Sequence, residues 1–510
     1  MSGATSTPSG AQPEVRLAAG AVRGSREAGV AVFRGIPFAD QPVGRLRFAA
    51  PQPVQPWDGV REAVAYGPPP PQAGFFGMDA LAEQNPGEDW LTVNVCTPEP
   101  GPAAGLPVMV WFQGGAYAFG MSGLPEYDGG QLVRDGVVLV TFNSRVGLEG
   151  FAQIEGAPAN RGLLDQVAAL EWVRDNIRAF GGDPDRVTVF GQSAGGGSIA
   201  CLLAMPRAAG LFRRAIVQST PGTVFAPALA TDIATVAAAE LGVRPTIADL
   251  STATPAQFAA AGDAVMAKIG DWTHRWGQAA HRQIPFSPVV DGDVLPTAPW
   301  QAVAAGSARG IDLIVGHTRD EQRLFNVVEG IFGLVTEEQA ATALATFAPG
   351  PDGADRYRTG FPAAGPDELH EIVNSDWLFR MPSFHLAQAQ ANAGGRVHLF
   401  ELTWTATGMD GMFGACHGLD VPLVFGNLDR GQPAALIGED PAAAAPVSAR
   451  MRAAWTAFAT HGDPGWPAYD SDQRLTQLFD TEPTVTAYPE EASRLIWQHH
   501  TFAALPLLEG

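Results

Sequence analysis

Val187-Thr188-Val189-Phe190-Gly191-Gln192-Ser193-Ala194-Gly195 governs the reading of the whole 510-residue chain. The first four residues, β-branched and aromatic, form a short apolar run of the kind buried on both faces of a sheet. A G-x-S-x-G pattern follows at once, and Ile199 to Met205 then reads as an apolar helix. A sharp strand-to-helix turn holds its serine in a strained backbone conformation, and glycines two residues to either side prevent clashes. The serine Oγ then projects at the carboxyl end of the sheet, where open α/β sheets hold their ligands. The helix start points N–H groups at developing negative charge. Ser193 is therefore the candidate nucleophile. With 59 glycines in the chain a bare Gly-Ser-Gly turn can arise by chance, so the weight rests on the flanking strand and on partners elsewhere.

Moving outward, Pro107 to Phe112, Val137 to Phe142, Arg213 to Val217, Ile311 to Val315 and Val397 to Trp404 read as further strands, with a shorter run at Val30 to Phe33. Leu163, Val167, Leu170, Val173, Ile177 and Phe180 recur every three or four residues and mark one face of a helix, which Gly181-Gly182-Asp183-Pro184 should stop. Strands alternating with helices imply a mostly parallel sheet with helices on both faces. Residues 223–280 are Ala-rich and expected to be helical, whereas 430–447, rich in Ala, Pro and Gly, are expected to be loop. Residues 1–13 read as a disordered segment, and 14–510 as one α/β domain with helical insertions.

A serine hydroxyl needs a histidine to take its proton and a carboxylate to orient the ring, in this fold in the order Ser, acid, His. The strand at Ile311–Val315 leads into Arg319-Asp320-Glu321, and the residues alone do not separate the two acids; one of them should pair with Arg319 or Arg323. Among ten histidines, His398 falls in a strand, His461 before a surface turn, and His499 and His500 near the end of the chain. His417, in Phe413-Gly414-Ala415-Cys416-His417-Gly418, has the best setting, a glycine-flanked loop after a strand. After the strand ending at Phe112, Gln113-Gly114-Gly115-Ala116 offers backbone N–H donors for an oxyanion, with Ala194 as the other donor. Ala116 keeps its N–H, provided the backbone angles suit alanine.

The net charge is −21, from 53 acidic and 32 basic residues, which argues against nucleic acid as a partner and against anionic membranes. Cys96, Cys201 and Cys416 form no disulfide framework and fit no metal spacing. The first residues lack a basic and an apolar region, and no apolar run is long enough to span a membrane. A cytoplasmic protein is the simplest expectation; oligomeric state is not readable.

These segments together resemble the type-B carboxylesterase family, which includes the cholinesterases. The resemblance runs from about Val15 to about residue 500. It includes Phe33-Arg34-Gly35-Ile36-Pro37-Phe38-Ala39, Pro42 to Phe48, Glu88 to Val95, and Asn160 through Gly196. It implies an α/β-hydrolase fold, a Ser193–Glu321–His417 triad with Glu321 rather than Asp320 as the acid, oxyanion donors at Gly115, Ala116 and Ala194, and ester hydrolysis without metal or organic cofactor. The chain departs from the family at Gln192 (usually Glu), Gln113 (usually His), Gln322 (usually Gly) and Ser144 (usually Tyr). Secreted members carry a disulfide at positions matching Pro70 and Trp90, which is consistent with a reducing compartment. The expected substrate is a small ester with a short-chain or aromatic part, in a pocket lined by Gln192, Phe75, Phe119, Phe325 and Phe413, with Phe76, Met78, Met121 and Met412 nearby. A non-catalytic binding protein on the same fold, or an amidase or lactonase with the same triad, are the alternatives.

Overall fold

The computed structural model describes residues 12–72, 86–438 and 440–509. Its main sheet has eleven strands: β1 (Ser25–Glu27), β2 (Val30–Pro37), β3 (Thr92–Thr97), β4 (Leu106–Phe112), β5 (Val138–Phe142), β6 (Gly182–Gln192), β7 (Arg214–Gln218), β8 (Asp312–Thr318), β9 (Val397–Leu402), β10 (Leu475–Phe479) and β11 (Thr484–Ala487). The spatial order is β11-β10-β9-β8-β7-β6-β4-β5-β3-β2-β1. The seven strands from β5 to β10 run parallel, and antiparallel strands close each end. Glu14–Arg16, Ala21–Arg23 and Val60–Glu62 make a small separate sheet.

Alternation along the central strands explains the two-sided burial. On β4, Val108, Val110 and Phe112 face one core, together with Leu163, Leu170 and Val173 of helix α1 (Arg161–Asn176) and with α2 (Ala194–Ala204). Met109 and Trp111 point to the opposite core, with Met451, Trp455 and Phe458. Neither face of the central sheet meets solvent, so the strands read as continuous apolar runs rather than alternating ones.

Two expectations are corrected. Gly181 alone, at φ +89°, ends the helical stretch; Gly182-Asp183-Pro184 already belong to β6, which is longer than its apolar core suggested. The stretch 430–447 is only partly loop. It contains Ala434–Ile437 and the first turns of a 21-residue helix, Pro441–His461, capped by the Asp440 carboxylate accepting from Ala442 N at 3.0 Å. Alanine is the strongest helix former and Pro441 sits in the first turn, where proline is tolerated, so Ala442 to Ala445 carry the helix start; Pro446 lies inside the helix. Residues 223–280 are largely helical, led by Pro227–Glu240 and Pro255–Ala267. The three cysteines are free thiols. Among the described residues no helix is long and apolar enough to cross a membrane.

Candidate active site

The strand order reverses between β4 and β6: β5 lies to one side, and β7 onward to the other. Loops leaving the carboxyl ends of β4 and β6 therefore diverge and open a crevice at the switch point. Gln113–Ala116 leaves β4, Ser193 follows β6, Glu321 follows β8, and His417 follows β9, so all four segments lie at the carboxyl ends of the strands.

Ser193 has φ +57° and ψ −128°, a conformation that an L-residue holds only when its surroundings impose it. Its N–H donates to Gln218 O at 3.0 Å, tying the turn to β7. A Cβ at Gly191 would lie 2.7 Å from Phe112 O, and one at Gly195 only 2.0 Å from the same oxygen. Both glycines are thus required for the turn to pack against β4. Helix α2 begins at Ala194, earlier than the apolar run alone marks.

Gly114 lies against the nucleophile: a Cβ there would sit 3.2 Å from Ser193 Cβ. Gly115, at φ +111°, accepts with its carbonyl from Ala118 N and Phe119 N, which curls the loop. Among the described residues the N–H groups of Gly115 and Ala116 make no backbone hydrogen bond. Ala116 takes φ +52°, the left-handed region, at a cost of roughly 1–2 kcal/mol relative to a right-handed residue. Both polar atoms of the Gln113 side chain are buried without a partner among the described residues.

Glu321 is fully buried and accepts from Thr318 N at 2.9 Å and from His417 Nδ1 at 2.5 Å. Burial pushes its pKa up, but the charge and hydrogen bond of His417 outweigh this and hold it below the usual carboxylate value. A carboxylate can only accept, so the Nδ1–H donates to Glu321 and Nε2 is the nitrogen turned away from the acid. Asp320 points elsewhere. It pairs with Arg319 at 3.1 Å and with Arg323 at 3.7 Å, and it accepts from Ala415 N at 2.8 Å, while its own N–H donates to Ala415 O at 2.9 Å. Asp320 thus pins the segment that delivers His417 beside the acid.

The ring has three further neighbours. The Gln192 amide nitrogen lies 3.1 Å from Nε2 and 3.4 Å from Nδ1. Phe379 stacks on the imidazole with centroids 4.1 Å apart and planes 24° off parallel, and Phe325 lies at 5.5 Å. No hydrogen bond joins Ser193 Oγ to the ring among the described residues; the Gln192 amide holds Nε2 instead. Three residues beyond His417, the buried Asp420 accepts from Gln218 Nε2 at 2.6 Å, and burial pushes its carboxyl up to about 6. Sequence reasoning missed Phe379 and Asp420. Asp420 lies near enough to the His417 motif to have been considered, whereas nothing in the sequence ties Phe379 to it.

Of the expected pocket residues, Gln192 and Phe325 lie at the imidazole. Phe119 lines a cavity of about 20 Å³ with Gln113, Gly114 and Ala194. Phe413 is corrected: it is buried in the core on the sheet's opposite face, with Trp404 and Leu419, because the loop turns it inward before presenting His417. Met121 packs with Leu124, and Met412 is exposed. Phe75, Phe76 and Met78 lie outside the described residues. His398 is a core residue, its Nδ1 3.0 Å from Trp466 O.

The Carboxylesterase family pattern matches residues 11–346, about two-thirds of the chain. The chain belongs to the carboxylesterase family. Its relatives include the para-nitrobenzyl esterase of Bacillus subtilis, 37% identical over 93% of this chain and 96% of that one. The fumonisin B1 esterase of Sphingopyxis macrogoltabida is 34% identical over 92% of this chain and 88% of that one. Among solved structures, a Geobacillus stearothermophilus carboxylesterase superposes with a TM-score of 0.84 at 33% identity, covering 95% of this chain and 100% of that one. This carboxylesterase therefore has the α/β-hydrolase fold, and its substrate class is the small-molecule ester.

Proposed function

We propose that the carboxylesterase cleaves its esters through a covalent acyl-enzyme on Ser193, with His417 as general base and Glu321 as the group that orients it. The observation that carries this reading is the 2.5 Å contact between Glu321 and His417 Nδ1 beside a strained serine at a strand-to-helix turn. His417 Nε2 takes the Ser193 proton as Oγ attacks the ester carbonyl. The N–H groups of Gly115, Ala116 and Ala194 hold the oxyanion. His417 then protonates the leaving alcohol, and a water deprotonated by the same ring releases the acid. For this, the Gln192 amide must yield Nε2 to Ser193 when substrate enters; catalytic hydrogen bonds often tighten only in the complex.

Short-chain or aromatic esters are the favoured substrates, since the aromatic rings of Phe325 and Phe379 flank the base. The para-nitrobenzyl esterase relative supports the same assay class. Ser193→Ala should lower kcat on 4-nitrophenyl butyrate by on the order of 10⁴ or more with the fold intact. A fluorophosphonate should label Ser193 in the parent protein only. Equal turnover by purified Ser193→Ala protein would defeat the assignment.

A further inference from the structure

Arg282 follows the short helical turn Gln278–His281, and its guanidinium lies over the Phe325 ring, 4.5 Å from the centroid. Phe325 is in turn 5.5 Å from the His417 ring. The cation is therefore one aromatic ring removed from the candidate base.

Each of the other enclosed guanidinium groups has at least one hydrogen-bond or ion-pair partner among the described residues. Arg145 is paired with Asp165, Arg47 with Glu149, and Arg380 with Asp376, while Arg161 donates to the carbonyls of Leu148, Glu149, Ala152 and Pro158. Arg282 differs: among the described residues its guanidinium makes neither a hydrogen bond nor an ion pair, and its Nε is buried without a partner. Burial pushes its pKa down to about 10, and Glu329, an exposed acid beyond ion-pair distance, offsets this only in part. His370 on the same side adds no counter-charge, and burial, then the Arg282 charge, push its pKa down.

A partly desolvated guanidinium without a counter-ion gains most from a planar anion that fills its fork of donors. In a chain of net charge −21, a cation without a counter-ion one ring away from the candidate base is also a selective feature. We propose that Arg282 binds a carboxylate carried by the substrate, so that this enzyme favours anionic esters: hemiesters of dicarboxylic acids, or esters whose leaving alcohol bears a carboxylate. The proposal rests on Ser193 and His417 being the reacting groups, which fixes the ester beside Phe325.

The test compares kcat/KM on matched pairs in the full-length protein. For the acyl side the pair is 4-nitrophenyl hemiglutarate and 4-nitrophenyl hexanoate; for the alcohol side it is 4-acetoxybenzoate and 4-acetoxytoluene. In one of the two pairs, Arg282→Gln should lower the anionic-to-neutral ratio about 10- to 100-fold, mainly through KM, as expected for losing a charged hydrogen-bonded contact. Arg282→Lys should restore part of the ratio, and it carries the test if Arg282→Gln fails to fold. Arg282→Glu should lower the ratio further. A ratio unchanged in both pairs, or equal losses on both members as a purely stacking arginine would give, overturns the proposal. Calorimetric binding of glutarate to Ser193→Ala protein, reduced at least tenfold by Arg282→Gln, tests Arg282 without turnover. Equal glutarate affinity in the two proteins overturns the Arg282 assignment, whereas an inactive parent enzyme that still discriminates glutarate overturns only the Ser193 reading.

Discussion

Asp320 and Glu321 are adjacent, equally charged and both enclosed, yet their carboxylates serve different neighbours. Asp320 faces two guanidinium groups and the Ala415 amide, and Glu321 faces the imidazole. Replacing each with its amide should separate the roles. Glu321→Gln lets an N–H face Nδ1 and favours the wrong tautomer, so kcat should fall by about 10³- to 10⁴-fold with little change in KM. Asp320→Asn removes the counter-charge of Arg319, while Arg323 keeps Glu371 at 2.7 Å, and it loosens the 414–416 segment. It should lower the melting temperature while costing kcat no more than about tenfold. Steady-state kinetics beside thermal melts distinguishes them, and a similar kcat in the two variants would refute the division of labour.

At the scale of elements, the π-helical turn Asp376–Arg380 docks on the candidate site. Ser375 Oγ, just before it, accepts from Gln322 N at 3.0 Å, and Phe379 covers the imidazole. Arg380 anchors the turn through Asp376 at 2.8 Å and Glu490 at 3.2 Å, and Tyr357 OH donates to Asp376 at 2.7 Å. Such wide turns recur at functional sites because they shift one side chain out of helical register. Phe379→Leu keeps apolar volume and loses the flat face. Since small misplacements of a base are costly, it should reduce kcat about 10- to 100-fold, and Phe379→Tyr should recover most of that. Fluorophosphonate labelling rates measure the effect independently of substrate fit, and an unchanged rate in Phe379→Leu would count against a positioning role.

Across the whole molecule, stability and the site share buried polar groups. The Arg145–Asp165 pair is fully enclosed and ties the loop after β5 to α1. His317, at the end of β8, is equally enclosed, with Nε2 2.9 Å from Tyr488 OH. Burial, followed by the Arg380 charge, lowers its pKa to about 4. The unfolded chain takes up this proton near pH 6.5, so from about 6.5 down to about 4 the unfolded state binds more protons and folded stability falls with pH. The slope attributable to this group approaches about 1.4 kcal/mol per pH unit. His317→Gln removes the titration. The stability advantage of the parent over His317→Gln, from denaturant midpoints, should therefore be larger at pH 7.5 than at pH 5; a pH-independent difference would contradict it.

Local chemistry determined the sheet, the helix packed on it, the serine turn and its two obligatory glycines, because continuous apolar runs, helical spacing and steric freedom are properties of neighbouring residues. The setting of His417 in a glycine-flanked loop was legible for the same reason. The direction of each carboxylate at 320 and 321, the inward turn of Phe413, the Gln192 amide on Nε2, the Phe379 stack and the unpaired Arg282 guanidinium came only from tertiary structure. Each depends on which distant segment folds against it, and neither spacing nor composition encodes that.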